Sequence, residues 1–377
     1  MKNEKDYLDK HFFDKVNKSD YVGVEIEMPI VNLTYPHKVD MKIIQKLFLF
    51  FLSDDFETSS YDNENNIIAI KNTKNGDTIS LEYSVNTLEF SLNKELSIYR
   101  LKDKFFNYYD KTNTFLKIYN YKLHDGGINP YYRKIDRECL NQNRYRAIER
   151  LLNNKYNKLL SQFCAYCCSI QTHVNVSVDN LVNVMNMFTR IEDKKSKIFG
   201  NSYMDEVNLK NSRSYIWGKC NFGPLNNGKN RIYKDLNDLK NDYLNRNLFY
   251  VERNGKYLLF NEKQKLSKYL DNKEIDATDE KLKPVKVKPN INDLDNFRSY
   301  KSVELTRYGT LEIRTDCTQK INNIFKVVAF NVGVSKKSSE ILKYLREHKS
   351  ISNKKLFEYA IKGLKERNKD EEELMEV

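Results

Sequence analysis

Five segments of this chain alternate apolar and polar side chains with a period of two, and their polar positions are acidic where a solvated surface would be mixed. In YVGVEIEM, Val22, Val24, Ile26 and Met28 share one face, which leaves Gly23, Glu25 and Glu27 on the other. TISLEYS sets Ile79, Leu81 and Tyr83 against Ser80, Glu82 and Ser84. NTLEFSL sets Leu88, Phe90 and Leu92 against Thr87, Glu89 and Ser91. In SIQTHVNVS, Ile170, Thr172, Val174 and Val176 oppose Gln171, His173, Asn175 and Ser177. In LEIRTDC, Leu311 and Ile313 oppose Glu312, Arg314 and Asp316. Alternation of this kind predicts an antiparallel sheet with one face on the core. Lysine, a common resident of a wet sheet face, is missing from the polar positions. If the strands share one sheet, their acids repel unless cations sit among them. Hard cations such as Mg²⁺ take carboxylate oxygens, so the pattern points to a metal- and phosphate-binding face.

The rest of the chain supplies helices and one contrasting segment. Apolar spacing predicts helices over Met41 to Leu52, Lys94 to Tyr121, Arg144 to Phe163, Lys320 to His348 and Lys354 to Glu373. Asp179 is expected to cap a helix running through Met187. Asn75-Gly76, between NIIAIKN and TISLEYS, reads as a two-residue hairpin turn. Residues 263–292 are almost wholly polar and contain Pro284 and Pro289, so they read as an exposed loop or insertion able to cover a site. The chain carries no GxGxxG and no GxxxxGK[ST], which excludes the familiar glycine-rich phosphate loops.

A net charge of +12 raises a polyanionic partner, but the 64 basic residues are interleaved with 52 acids. No basic patch with aromatic interleaving appears, which speaks against nucleic acid. The charged amino terminus and the absence of a long apolar run predict a cytoplasmic protein with no membrane span. Six cysteines are then expected as reduced thiols. Cys164 and Cys167 have CxxC spacing, but neither a second pair nor a His pair completes a zinc site.

The residues resemble the glutamate–cysteine ligase family. GVEIEM resembles its opening Gly-x-Glu-x-Glu strand. ISLEYSVNTLEFSL resembles the Ser-Leu-Glu…Glu-Leu-Ser motif of the plant and proteobacterial branch, with both glutamates kept. NSRSYIW is similar to that branch's Met-Arg-Ser-His-Ile-Trp, LEIRTDC to Leu-Glu-x-Arg-Gly-Ala-Asp, and HVNVS to the His-x-Asn-x-Ser of another bacterial branch. The five motifs follow the family's order from Gly23 to Asp316.

This resemblance implies an α+β fold: a single catalytic domain over 1–377, with a curved antiparallel sheet as a funnel covered by helices, like the catalytic domain of glutamine synthetase. It also implies an ATP-dependent carboxylate–amine ligase with two or three Mg²⁺, or Mn²⁺, that works through an acyl phosphate. By motif position, Glu25, Glu27, Glu82, Glu89, His173 and Glu312 are implied metal ligands, and Arg314 the catalytic contact to the transferred phosphate. Arg213 is implied to hold a substrate carboxylate and Trp217 to wall the pocket, while Gln171 and Asn175 touch nucleotide or substrate. Glutamate plus cysteine, giving γ-glutamylcysteine, is the default pair. The family's Pro-Gly-Gly is replaced by Tyr83-Ser84-Val85-Asn86, and its Gly-Ala after the final Arg by Thr315. These changes leave another amino acid or amine pair open. A phosphotransferase on the same fold, and a basic nucleic-acid-binding or interaction protein with catalysis lost, are the remaining alternatives. The sequence sets no oligomeric state.

Overall fold

A computed structural model describes residues 3–153, 162–367 and 370–375. The chain is mixed α+β, dominated by one large antiparallel sheet. A short helix α1 (Glu4–His11) precedes β1 (Val22–Asn32), and α2 (Met41–Leu52) follows it. Next come β2 (Phe56–Tyr61), β3 (Ile67–Asn72), β4 (Thr78–Leu81) and β5 (Thr87–Glu95). Helix α3 (Ile98–Ile118) and β6 (Tyr121–Leu123) lead to α4 (Asn143–Leu152), then to β7 (Ser169–Val174) and α5 (Val178–Phe199). The second half holds α6 (Ser212–Gly218), β8 (Asn227–Gly228), α7 (Leu236–Asn245), β9 (Asn247–Arg253), β10 (Lys256–Lys265), β11 (Ile275–Thr278) and β12 (Pro284–Val287). It closes with β13 (Tyr300–Lys301), β14 (Val303–Leu305), β15 (Leu311–Cys317), α8 (Ile324–Lys336), α9 (Ser338–Glu347) and α10 (Asn353–Arg367).

The large sheet runs β14-β15-β7-β1-β5-β4-β3-β2, with β6 continuing along the far end of β1. The apolar positions within the strands turn to one side, where Val24, Ile26, Met28, Leu88, Phe90, Ile170 and Ile313 are buried. Tyr83, expected on that side, lies past the end of β4 with a positive φ of 61° and lines the opposite cleft. Helices α3, α5 and α8 pack on that side. Helix α3 buries Ile98, Leu101, Phe105, Tyr108, Thr112 and Leu116, the three-to-four spacing of one helical stripe. Helix α8 is buried almost all round, as its apolar IFKVVAFNVGV predicts.

Several local expectations are corrected. Asn75-Gly76 does not make a two-residue turn: only Gly76 has positive φ, and Asn72 and Asp77 close a four-residue loop. The two-residue turn lies instead at Asn254-Gly255, where both φ are positive (52° and 75°) and Arg253 pairs with Lys256, as a type I′ turn requires. The cap of α5 is Ser177, with Asp179 in the first turn. The single helix expected over Lys320 to His348 breaks at Lys337 into α8 and α9. Residues 154–161 of the helix expected over Arg144 to Phe163 lie outside the described residues. The exposed-loop reading of 263–292 fails: β11 and β12 fall within it and extend the β9–β10 hairpin into a four-stranded sheet. Their polar side chains face solvent while Ile275, Ala277 and Val287 are buried, a short-strand alternation hidden among lysines.

Among the described residues, no helix is long and apolar enough to cross a membrane.

Candidate active site

The polar face of the sheet, opposite the helices, forms the floor of a cleft of about 530 Å³. Register explains how the acids meet. Glu27 of β1 lies directly opposite Glu89 of β5, and Glu25 opposite Gln171 of β7. His173 stands between Gly23 and Glu312 of β15. Adjacent strands therefore carry Glu25, His173 and Glu312 side by side, and one ligand atom from each falls within 4.8 Å of the others. Glu82 enters from the end of β4. Glu25, Glu27, Glu82, Glu89, His173, Glu312, Gln171, Arg213, Trp217 and Arg314 all line the cleft.

Asn175 is the exception. It lies beyond the end of β7, and its amide donates to Asn17 (3.1 Å) in a separate depression. The strand pairing that keeps His173 on the acidic face has ended there. Asp316 is the second misplacement. Between Ile313 and Asp316 the β7 partner advances two residues while β15 advances three. That bulge, at Arg314 and Thr315, turns Asp316 to the helix side. Asp316 is buried there against Lys195 of α5 (3.0 Å) and Asn331 of α8 (2.7 Å).

The carboxylates are held differently. Glu27 accepts from the Ser169 amide (2.7 Å) and hydroxyl (2.9 Å) and from the Gln171 amide (3.1 Å). Burial pushes its carboxyl up to about 7, with Arg213 opposing and Glu82 adding to the rise. Burial also lifts Glu89 well above the ordinary range, and Glu25, Glu82 and Glu27 lift it further. Glu82 is raised by burial, against the pull of Arg144 and a hydrogen bond from the Tyr145 hydroxyl (3.1 Å). Burial raises Glu25 too, but His173, with Nε2 at 3.3 Å, overrides it and leaves the carboxyl low. Glu312 is raised by burial and paired with Arg314.

Sequence reasoning missed Glu304, which also lines the cleft. It sits on β14 directly opposite Glu312, where both of its oxygens accept from Arg246 (2.8 Å). A signal was available: VEL and LEI flank Thr306-Arg307-Tyr308-Gly309-Thr310, a hairpin that pairs the two glutamates. Gly309 is obligatory in that hairpin, because its φ is +76° and a Cβ would come within 2.1 Å of the Lys15 carbonyl oxygen. Arg144, Tyr145 and Tyr300 were missed as well, since they arrive from α4 and β13 without any pattern that ties them to the sheet. Cys164 and Cys167 line the cleft as thiols with pKa raised by burial.

Carboxylates as the majority donors, with one imidazole, suit Mg²⁺ or Mn²⁺. The convergence of Glu25, His173 and Glu312 offers three ligand atoms, and the crowding of Glu27, Glu82 and Glu89 is charge that further cations would relieve. The residues therefore fit the implied metal. No protein-family model matches this chain, and no curated protein matches it.

Proposed function

We propose that the protein is an ATP- and Mg²⁺-dependent carboxylate–amine ligase, of the kind that the glutamate–cysteine ligases and the glutamine synthetase-type fold exemplify. The reading rests on one observation: among the described residues, six glutamates, His173 and five arginines line a single cleft over one sheet face. Glu25, His173 and Glu312 would hold one Mg²⁺, with Glu27, Glu82 and Glu89 beside it for others. A bound divalent ion there would neutralise phosphate charge as it develops.

The chain's own residues supply the rest. In the first step an oxygen of the acid's carboxylate attacks the γ-phosphorus of ATP, the bond to the β-phosphate oxygen breaks and ADP leaves. Arg314 lies over the Tyr300 ring (5.6 Å) with its guanidinium on Glu312. Its fixed fork suits the oxygens of the phosphoryl group in transfer. Arg213, donating through Nη1 to the Arg314 carbonyl (2.9 Å), orients the acid. In the second step the amine attacks the acyl carbon, phosphate leaves, and the ammonium proton is lost. The departing phosphate or solvent can take it up. Tyr83, which stands where the family has Pro-Gly-Gly, lines the cleft together with Tyr145 of α4. Glutamate with cysteine is the default pair.

The test is ATP- and Mg²⁺-dependent phosphate release with glutamate fixed and each amino acid offered in turn, products identified by mass. Release together with a new amide, lowered about 10²-fold in Arg314→Lys, is expected. Phosphorylated product without an amide would point to a phosphotransferase. Salt-sensitive nucleic-acid binding with no turnover from folded protein would overturn the ligase reading.

A further inference from the structure

A second chamber, of about 460 Å³, adjoins the acid cleft and differs from it in charge. It lies between α5, α6 and the β8–β13 pair. Arg213, Trp217, Tyr300 and Arg314 line both spaces and form their common wall. On the cleft side of that wall stand the glutamates. On the far side stand Lys197, Lys210, Lys219, Lys229 and Lys301, drawn from several separate segments of the chain. The acids there are Glu192 and Asp193. Glu192 is buried with a raised carboxyl that accepts from Thr315, and Asp193 is taken up by Lys229 (3.1 Å).

Arg213 is the point where the two spaces meet. Its side chain is buried, with the residue only 4% exposed, and its Nε–H has no partner among the described residues. A buried, unpaired guanidinium N–H costs free energy unless an acceptor arrives, and a carboxylate is the acceptor whose geometry fits it. Lys301 is likewise buried, with Nζ on the carbonyls of Pro224 (2.6 Å) and Lys229 (3.3 Å). The chamber volume falls within the range of about 300–1,000 Å³ that holds whole organic ligands, while one extended residue advances only about 3.5 Å. A lone amino acid at Arg213 would leave most of the lysines without an anion. Trp217 is already packed on Tyr300 (5.1 Å between centroids) and against Phe163 (4.7 Å), which argues for an acidic chain rather than stacked bases.

We propose that this chamber receives an acidic peptide whose C-terminal carboxylate meets Arg213 at the common wall, so that the acid substrate enters from the lysine side and the nucleotide from the glutamate side. The substrate identity rests on the ligase reading; the anion site itself does not.

The experiment uses Trp217, the one tryptophan of the chain, whose place on the common wall makes its emission a reporter of both spaces. Hexaglutamate with a free C-terminus, its C-terminal amide, free glutamate and a single-stranded RNA hexamer are titrated against the full chain. MgATP is titrated separately. Hexaglutamate is expected to bind at least about tenfold more tightly than its amide or free glutamate, the worth of one charge-assisted hydrogen bond. Lys210→Gln with Lys219→Gln is expected to weaken that binding, and Lys210→Arg with Lys219→Arg to keep it, which separates charge from misfolding. Equal binding of glutamate and hexaglutamate, RNA binding in preference to the peptide, or no binding of any acid would each overturn the proposal. MgATP that fails to bind while hexaglutamate succeeds would sink the ligase reading and leave the anion site standing.

Discussion

The two faces of the large sheet bury carboxylates in opposite ways. On the helix side, Asp316 has its own cation, Lys195, and an amide, Asn331, with Lys195 only 1% exposed. At the sheet edge, Glu304 is likewise matched by the fully buried Arg246. On the cleft side, Glu27 and Glu89 face each other across a strand pair, and Glu82 adds to the repulsion. A matched acid is costly to part from its cation, whereas crowded acids with raised pKa cost stability unless a ligand supplies the missing charge. The same residue type is thus matched on one face and crowded on the other, and the proposed chemistry falls to the crowded set.

The comparison breaks first, and by most, on the matched side. Lys195→Met leaves Asp316 buried without its cation, which is expected to cost about 3–5 kcal/mol in urea unfolding. Adding Asp316→Asn to that variant should return much of the loss. If Lys195→Met is neutral, Asp316 is not a structural pair and the contrast between faces disappears.

The crowded side should respond in the opposite sense. Glu27 and Glu89 have folded pKa values above the usual 4.5, so their contribution to stability is present below that value and lost as pH rises through the folded values, about 7 for Glu27. The Tm of the metal-free protein should therefore fall between pH 5 and pH 8. Glu25 runs the other way, its low carboxyl acting only in stronger acid, outside this window. Glu89→Gln should raise the Tm at pH 8 and flatten the slope while abolishing turnover. Mg²⁺ should raise the Tm more at pH 8 than at pH 5. A pH-independent melt, read by circular dichroism, would contradict the crowding.

The smallest effect sharpens the boundary of the site. Asn175→Ala should leave phosphate release within about twofold of the parent, since Asn175 bonds to Asn17 outside the cleft. A loss as large as that of a cleft residue would show that the cleft extends past the end of β7.

Much of the site was legible because strand alternation is local. The sign of each position along YVGVEIEM or NTLEFSL follows from the backbone alone, and eight of the ten expected cleft residues besides Asn175 come from the alternating segments, while Arg213 and Trp217 arrive from helix α6. Glu25, Glu27, Glu89 and His173 needed only the period of two. Asp316 escaped because a bulge adds a residue to one strand, and the demand for it comes from the pairing with β7 and the waiting Lys195. Residues 263–292 escaped because β11 and β12 bury only a few small apolar side chains among lysines, a pattern too short to outweigh composition. Asn75-Gly76 misled and the identical Asn254-Gly255 went unread, since the same dipeptide serves either a two-residue turn or a longer loop according to the register that its strands adopt.

By itself, then, the sequence determined which side chains share a face, that an antiparallel sheet backed by helices would bury the apolar set, and that the opposite face would be acidic. Only the tertiary structure decided strand order, and with it which acids become neighbours. It also brought Arg144, Glu304 and Tyr300 to the same cleft and set the lysine chamber behind Arg213. Periodicity is fixed by bonds between adjacent residues, while neighbourhood is fixed by burial and charge summed over strands far apart in the chain.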